Sequence, residues 1–256
     1  MESHKILILC GYDYTPALLE HAADQTIFLL ITKDNLKYFD PSNIEELQKR
    51  YGNRMVLSSN SNQDIRTLIN GHHIQSLLTF GWRKLIDVEL YTDLENLINI
   101  HPALLPEYKG YHPVPYVILN HEQYHGITAH RITPEMDGGA IILRKILNTN
   151  TFTTLQSLQY MANKAMPEVL KSVINLIQSN SIMEVENDDS KTIVRAPRRT
   201  PEDSEVPADT PLKEVFDQVR AADSERFPAF FMINGEKVYI RMSREESANR
   251  ETPFDI

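Results

Sequence analysis

The chain of 256 residues has almost no cysteine: its single thiol, Cys10, sits inside the apolar run KILILC. One cysteine excludes an internal disulfide, and in that setting it reads as a small buried hydrophobe. Long apolar runs are also missing. The opening MESHKILILCGYD holds too short an apolar stretch for a signal peptide or a membrane span, so the expected compartment is the cytoplasm. Basic charge is in deficit: 26 Lys and Arg against 35 Asp and Glu leave a net charge of -9. That balance argues against a broad nucleic-acid surface, which needs clustered cations to displace counterions.

Several motifs are absent as well. CGYDYTP stands after the first strand where a dinucleotide site would carry GxGxxG, and the chain has no GxxxxGK[ST], HExxH, CxxC or GxSxG. The histidines His72, His73, His121 and His125 lack an accompanying carboxylate pattern, so no metal is expected. There is no internal repeat and no low-complexity tract.

What is present is enough to build a core. Hydrophobic residues make up 41% and charged residues 24%, which suits a globular chain that buries its apolar surface without disulfides or metals. KILILC, TIFLLIT, RMVLSS, IQSLLTFG and NLINIH read as short apolar strands. Helical segments fall between several of them, Thr15 to Ala23 and NQDIRTLING among these. Strands alternating with helices predict a Rossmann-like three-layer α/β sandwich around a mostly parallel sheet. YHGITAHRI and GAIILRKIL then read as two further strands joined by TPEMDG. TTLQSLQYMANKAMPEVLKSVINLIQS reads as a long helix that Pro167 kinks or breaks in two. The expected division is one large domain over 1–184, a polar linker over 185–211 and a small C-terminal region over 212–256, which holds a helix and a β-hairpin turned at Asn234-Gly235. Residues 243–256 read as frayed.

Ligands of such sheets bind at the carboxyl ends of the strands. Asn99 and His101 lie at one such end, two residues apart and so on one face. On spacing alone, a strand-end amide capping the next turn and a satisfied histidine account for the pair better than chemistry does. His130 ends GITAH, and Asp137 lies in a loop with two glycines behind it; a turn aspartate capping its own backbone is the plainer reading there too. Arg195, Arg198 and Arg199 form a small basic cluster that could grip phosphates or pair with Glu202 and Asp203.

Taken together, NIHPALLPEYKG, HGITAHRI and EMDGGAII resemble the formyltransferases that use N10-formyltetrahydrofolate. The family pattern runs roughly N-x-H-x-S-L-L-P-x-x-x-G, G-[VI]-T-x-H and D-x-G-x-I-[IL], and the likeness covers most of residues 77–142. The resemblance implies that Asn99, His101 and Asp137 are the catalytic residues. It implies folate contacts at Arg83 and Leu85 in LLTFGWRKLI, at Leu104 and His130, and along the loop wall Thr133, Pro134 and Glu135. Ala103 replaces the usual Ser, and Gly138 stands where Thr is common. The first loop lacks the Gly-Ser-Asn phosphate loop of glycinamide ribonucleotide formyltransferase, which turns the reading away from purine synthesis.

The tail segments APRRTPEDSEV and VRAADSERFPAFFMINGEKVYIRM resemble the linker and small C-terminal region of sugar N-formyltransferases. They also resemble those of methionyl-tRNA formyltransferase, which usually carries a larger tail and a basic RNA-binding surface. The short tail and the acidic chain favour a nucleotide-linked amino sugar as acceptor, in surface polysaccharide synthesis such as that of O-antigen lipopolysaccharide. Arg198 and Arg199 would take its phosphates. Methionyl-tRNA, hydroxyornithine, water as in a deformylase, and a non-catalytic folate-binding module are the alternatives. The implied partners are small molecules, neither membrane nor nucleic acid, and the tail hairpin could pair with a second copy as a homodimer. In that chemistry Asn99 and a protonated His101 would donate to the developing oxyanion, where one donor is worth roughly 3–4 kcal/mol of barrier. Asp137 would keep His101 charged and relay the amine's proton.

Overall fold

The structure is a computed structural model and describes residues 4–59, 61–82, 84, 86, 92–245 and 252–256. The five apolar runs form five parallel strands, with helices in the connections. β1 (Ile6–Cys10), α1 (Thr15–Leu19), β2 (Ile27–Thr32), α2 (Pro41–Tyr51), β3 (Met55–Ser58), α3 (Ser61–His72), β4 (Ser76–Phe80) and β5 (Asn96–His101) follow one another. After them come β6 (Tyr108–Gly110), α4 (Val114–Leu119), β7 (Tyr124–Arg131), β8 (Ile141–Asn148), α5 (Leu155–Gln178), β9 (Val194–Ala196), α6 (Leu212–Ala221), β10 (Phe230–Ile233) and β11 (Glu236–Tyr239).

The main sheet has seven strands in the order β3-β2-β1-β4-β5-β7-β8. It is parallel from β3 to β5, and β7 then runs antiparallel to β5. Every residue of β1 and β2 is buried, as expected for central strands covered on both faces. Leu7, Leu9, Leu30, Leu77 and Leu97 pack on one face against Ile65, Leu68 and Ile69 of α3. The α/β class read from the sequence is therefore the observed one.

The chain divides into two compact units. One comprises Met1–His101, Thr128–Arg144 and Ala165–Asn187; the other comprises Pro102–Ile127, Lys145–Lys164 and Asp188–Ile256.

Two local expectations are corrected, and one helix is added. Helix α2, unassigned from the sequence, starts where the Asp40 carboxylate accepts the Ser42 amide at 2.8 Å, with Pro41 in the first turn. Helix α5 runs unbroken through Pro167. A helical proline costs about 3 kcal/mol, but Val169, Leu170, Val173, Ile174 and Ile177 beyond it are all buried, and each such side chain contributes roughly 1.5–3 kcal/mol. The tail does not simply fray. Thr252 and Asp255 are 4% and 2% exposed, and the Asp255 carboxylate accepts the Ser157 hydroxyl at 2.6 Å and the Thr252 hydroxyl at 2.8 Å.

The polar stretch after Glu184 is also tied down. Asp188 caps a short 3-10 turn, β9 pairs parallel with β6, and Thr200 and Asp203 form a capping box. The hairpin β10–β11 turns through Asn234 and Gly235, both at positive φ, as its sequence predicts. Among the described residues, no helix is long and apolar enough to cross a membrane.

Candidate active site

The site is built in the first unit from the end of β5 and its two neighbours. Asn99 pairs in register with Thr79 on β4 and with His130 on β7. These pairings fix how the amide points. The Thr79 hydroxyl donates to Asn99 Oδ1 at 2.7 Å, and Asn99 Nδ2 lies 3.1 Å from His130 Nε2. His130 Nδ1 lies 2.8 Å from the Arg131 carbonyl, which can only accept, so Nδ1 carries the proton. His130 Nε2 then offers a lone pair, and Asn99 donates to it. A flipped amide would break both contacts at once. One N–H of Asn99 remains beyond the one given to His130, as an oxyanion donor requires.

His101 points to the same face of β5 and is 4% exposed. The rings of His101 and His130 stand edge to face with centroids 6.3 Å apart. Asp137 reaches both from the β7–β8 loop: its carboxylate oxygens lie 3.7 Å from His101 Nδ1 and 3.6 Å from His130 Nε2. Its side chain is only 10% exposed, so solvent screens its approach to His101 weakly.

The loop that delivers Asp137 is a tight turn. The Gly138 amide donates to the Glu135 carbonyl at 3.2 Å, and Asp137, at the third position, has φ +52°. Type II turns place glycine or asparagine there because φ is positive. Gly139 allows the return to β8: a Cβ on it would lie 2.0 Å from the Arg131 carbonyl oxygen. The Asn187 amide nitrogen donates to the carbonyls of both Asp137 and Gly139 at 2.8 Å.

The structure thus brings together Asn99, His101, His130 and Asp137. Thr133, Pro134 and Glu135 lie in the same loop as Asp137, where the Thr133 hydroxyl donates to the Glu135 carbonyl at 3.1 Å. Arg83 and Leu85 lie outside the described residues. Leu104 belongs to the second unit, half-buried against Gly126. Arg198 and Arg199 are also in that unit: Arg198 is exposed, and Arg199 donates its amide to His112 Nδ1 at 2.8 Å and its guanidinium to the Asp203 carbonyl at 2.6 Å. Ala103, in place of the usual serine, is buried with Tyr108 and Val117.

Thr79 and Asn187 belong to the site but not to the residues singled out from the sequence. Thr79 left a trace, being a hydroxyl inside the apolar run SLLTF. Asn187 left none, in a polar stretch 50 residues beyond Asp137.

An amide, two imidazoles and a carboxylate thus converge where β5, a strand of a mostly parallel α/β sheet, ends. Residues 20–174 match the formyl transferase family, and the chain belongs to it. It is 25% identical over 250 residues to the bifunctional polymyxin resistance protein ArnA of Wigglesworthia glossinidia brevipalpis, covering 93% of this chain and 34% of that protein. It is 29% identical over 153 residues to the methionyl-tRNA formyltransferase of Thermotoga maritima, covering 60% of this chain and 49% of that one. The chain therefore spans between a third and a half of the curated relatives it matches. Its fold is that of a sugar N-formyltransferase from a Shewanella species, with TM-score 0.74 and 19% identity over 96% of this chain and 99% of that chain. It is also that of WlaRD, a sugar 3N-formyl transferase solved in the presence of dTDP and 5-N-formyl-THF, with TM-score 0.63 and 19% identity over 93% of this chain and 85% of that chain.

Proposed function

We propose that this chain transfers the formyl group of N10-formyltetrahydrofolate to the amino group of a nucleotide-linked amino sugar, in the cytoplasm, for surface polysaccharide synthesis. The observation that carries the reading is the convergence of the buried His101 and His130 with the half-buried Asn99 and Asp137 in one unit. The acceptor amine attacks the formyl carbon, the bond from that carbon to N10 breaks, the amine loses a proton and N10 gains one. Asn99 donates to the formyl oxygen as negative charge develops on it, already oriented by Thr79 and His130. His101 adds a second donor, and Asp137, 3.7 Å from its Nδ1, takes part in moving the amine's proton. Folate contacts in this unit are assigned to His130 and to Thr133, Pro134 and Glu135.

The sugar nucleotide is supported by the acidic chain and by the naming of its structural relatives, one of them solved with dTDP. Its phosphates are assigned to Arg198 and Arg199, of which Arg198 is the more exposed. Neutralising both is expected to weaken sugar-nucleotide binding about tenfold or more, the scale of one lost charged contact; an unchanged titration would remove the phosphates from this place.

The deciding experiment is an acceptor screen with N10-formyltetrahydrofolate. Several nucleotide-linked amino sugars, hydroxyornithine, methionyl-tRNA and a no-acceptor control are compared by mass spectrometry of the products. Formylation of an amino sugar alone is expected. Turnover of tRNA or hydroxyornithine instead would replace the acceptor, hydrolysis without acceptor would indicate a deformylase, and no turnover at all would leave a folate-binding module.

A further inference from the structure

We infer that Asn187 is the positioning residue for Asp137, and that the segment from Glu184 to Asn187 is a clasp that sets the geometry of the formyl-transfer site. The inference rests on the function proposed above. Asp137 occupies a left-handed backbone conformation, φ +52°, which a non-glycine residue keeps only where its surroundings hold it there. Within the turn, the Gly138 amide closes on the Glu135 carbonyl at 3.2 Å, and the Thr133 hydroxyl donates to the same carbonyl at 3.1 Å.

A further constraint comes from a distant part of the chain. Asn187 Nδ2 donates at 2.8 Å both to the carbonyl of Asp137 itself and to that of Gly139, so one amide group spans the residue in question. The reverse orientation would set an oxygen against two carbonyl oxygens, so the assignment of the amide is settled by its partners. Two residues earlier, Val185 and Ile141 exchange amide–carbonyl bonds of 2.8 Å in both directions. One residue before that, Glu184 accepts from Arg131 Nε at 2.6 Å, and the carbonyl of Arg131 is the one that fixes the His130 tautomer. The clasp therefore holds the backbone of Asp137 and the side chain of Arg131, the residue that follows His130. A displacement of about 1 Å at a reacting group can cost roughly a hundredfold in rate, so holding the turn has a catalytic consequence.

The test combines kinetics with amide exchange. Asn187→Ala removes both donors, and Asn187→Asp removes them at constant size and serves where the alanine variant does not fold. With the sugar acceptor, each is expected to lower kcat about tenfold and leave KM within about twofold. In an Asp137→Ala background the same change is expected to alter the residual kcat less than about twofold, since Asn187 acts through Asp137. A merely structural role would lower kcat equally in both backgrounds, and that outcome overturns the proposal. Independently of any acceptor, exchange at the Gly138 and Ile141 amides is expected to rise about tenfold in the variants while β1 amides are unchanged. Unchanged exchange also overturns it. Failure of the wild-type protein to transfer formyl would instead sink the proposed function, with the clasp still judged by exchange.

Discussion

At the scale of single residues, the site depends on groups that orient one another. Asn99 has one N–H directed to His130 and its oxygen held by Thr79, so its remaining donor has a fixed direction before any substrate arrives. Replacing Asn99, His101 or Asp137 by alanine is expected to reduce formyl transfer by about a hundredfold or more, with melting temperature near that of the wild type. Near-wild-type turnover in any well-folded single variant would remove that residue from the mechanism. Thr79→Val should give a smaller loss, seen in kcat rather than KM, because it only releases the Asn99 oxygen. Cys10 illustrates a residue that chemistry does not use. Burial, and then the charge of Asp13, pushes its thiol well above the usual range, and its Sγ donates to the Tyr12 carbonyl at 2.9 Å. Since the thiolate is the reactive form, alkylation of this single cysteine at neutral pH is expected only after unfolding. Labelling of the native protein at the rate of a free thiol would contradict that burial.

At the scale of elements, the legible parts of the chain were those whose contacts are local in sequence. The run ILILC, buried on both faces, and the Asn234-Gly235 hairpin follow directly from side-chain period and turn chemistry. The failures have particular causes. Pro167 reads as a residue that kinks the helix or breaks it in two; the helix does not break, because the packing of one helix face outweighs the missing hydrogen bond. In the second unit, Arg220 on α6 pairs with Asp217 and donates to the carbonyls of Thr153 and Ile118, so one guanidinium ties α6 to α4 and to the start of α5. No periodicity announces a cross-link of that kind. Breaking such a buried pair leaves Asp217 with only the exposed His121, 3.6 Å away, as a basic partner, so Arg220→Ala is expected to cost about 3 kcal/mol in urea denaturation. Arg220→Lys should recover only part of it, because a lysine cannot present the same fork. A loss below about 1 kcal/mol would show the guanidinium to be dispensable.

For the whole molecule, the net charge of -9 bears on which acceptor can be used. Nucleic-acid affinity falls steeply with salt unless many phosphates are neutralised, and this chain has few cations to spare. Initiator tRNA is therefore expected to show no retention at about 0.15 M salt, where charges more than about 8 Å apart are largely screened. Stoichiometric tRNA binding at that salt would return the methionyl-tRNA reading to the front.

The sequence by itself determined the α/β class and the family, and it singled out Asn99, His101, His130 and Asp137 as candidates, because strand period and short motifs are local properties. Tertiary structure alone decided how those four meet. The register of β4, β5 and β7 sets Thr79, Asn99 and His130 side by side, and Asn187 holds the turn that carries Asp137 from 50 residues away. Such contacts depend on which strands pair and where the chain returns. Those choices are made by burial over the whole sheet, and no single stretch of the sequence records them.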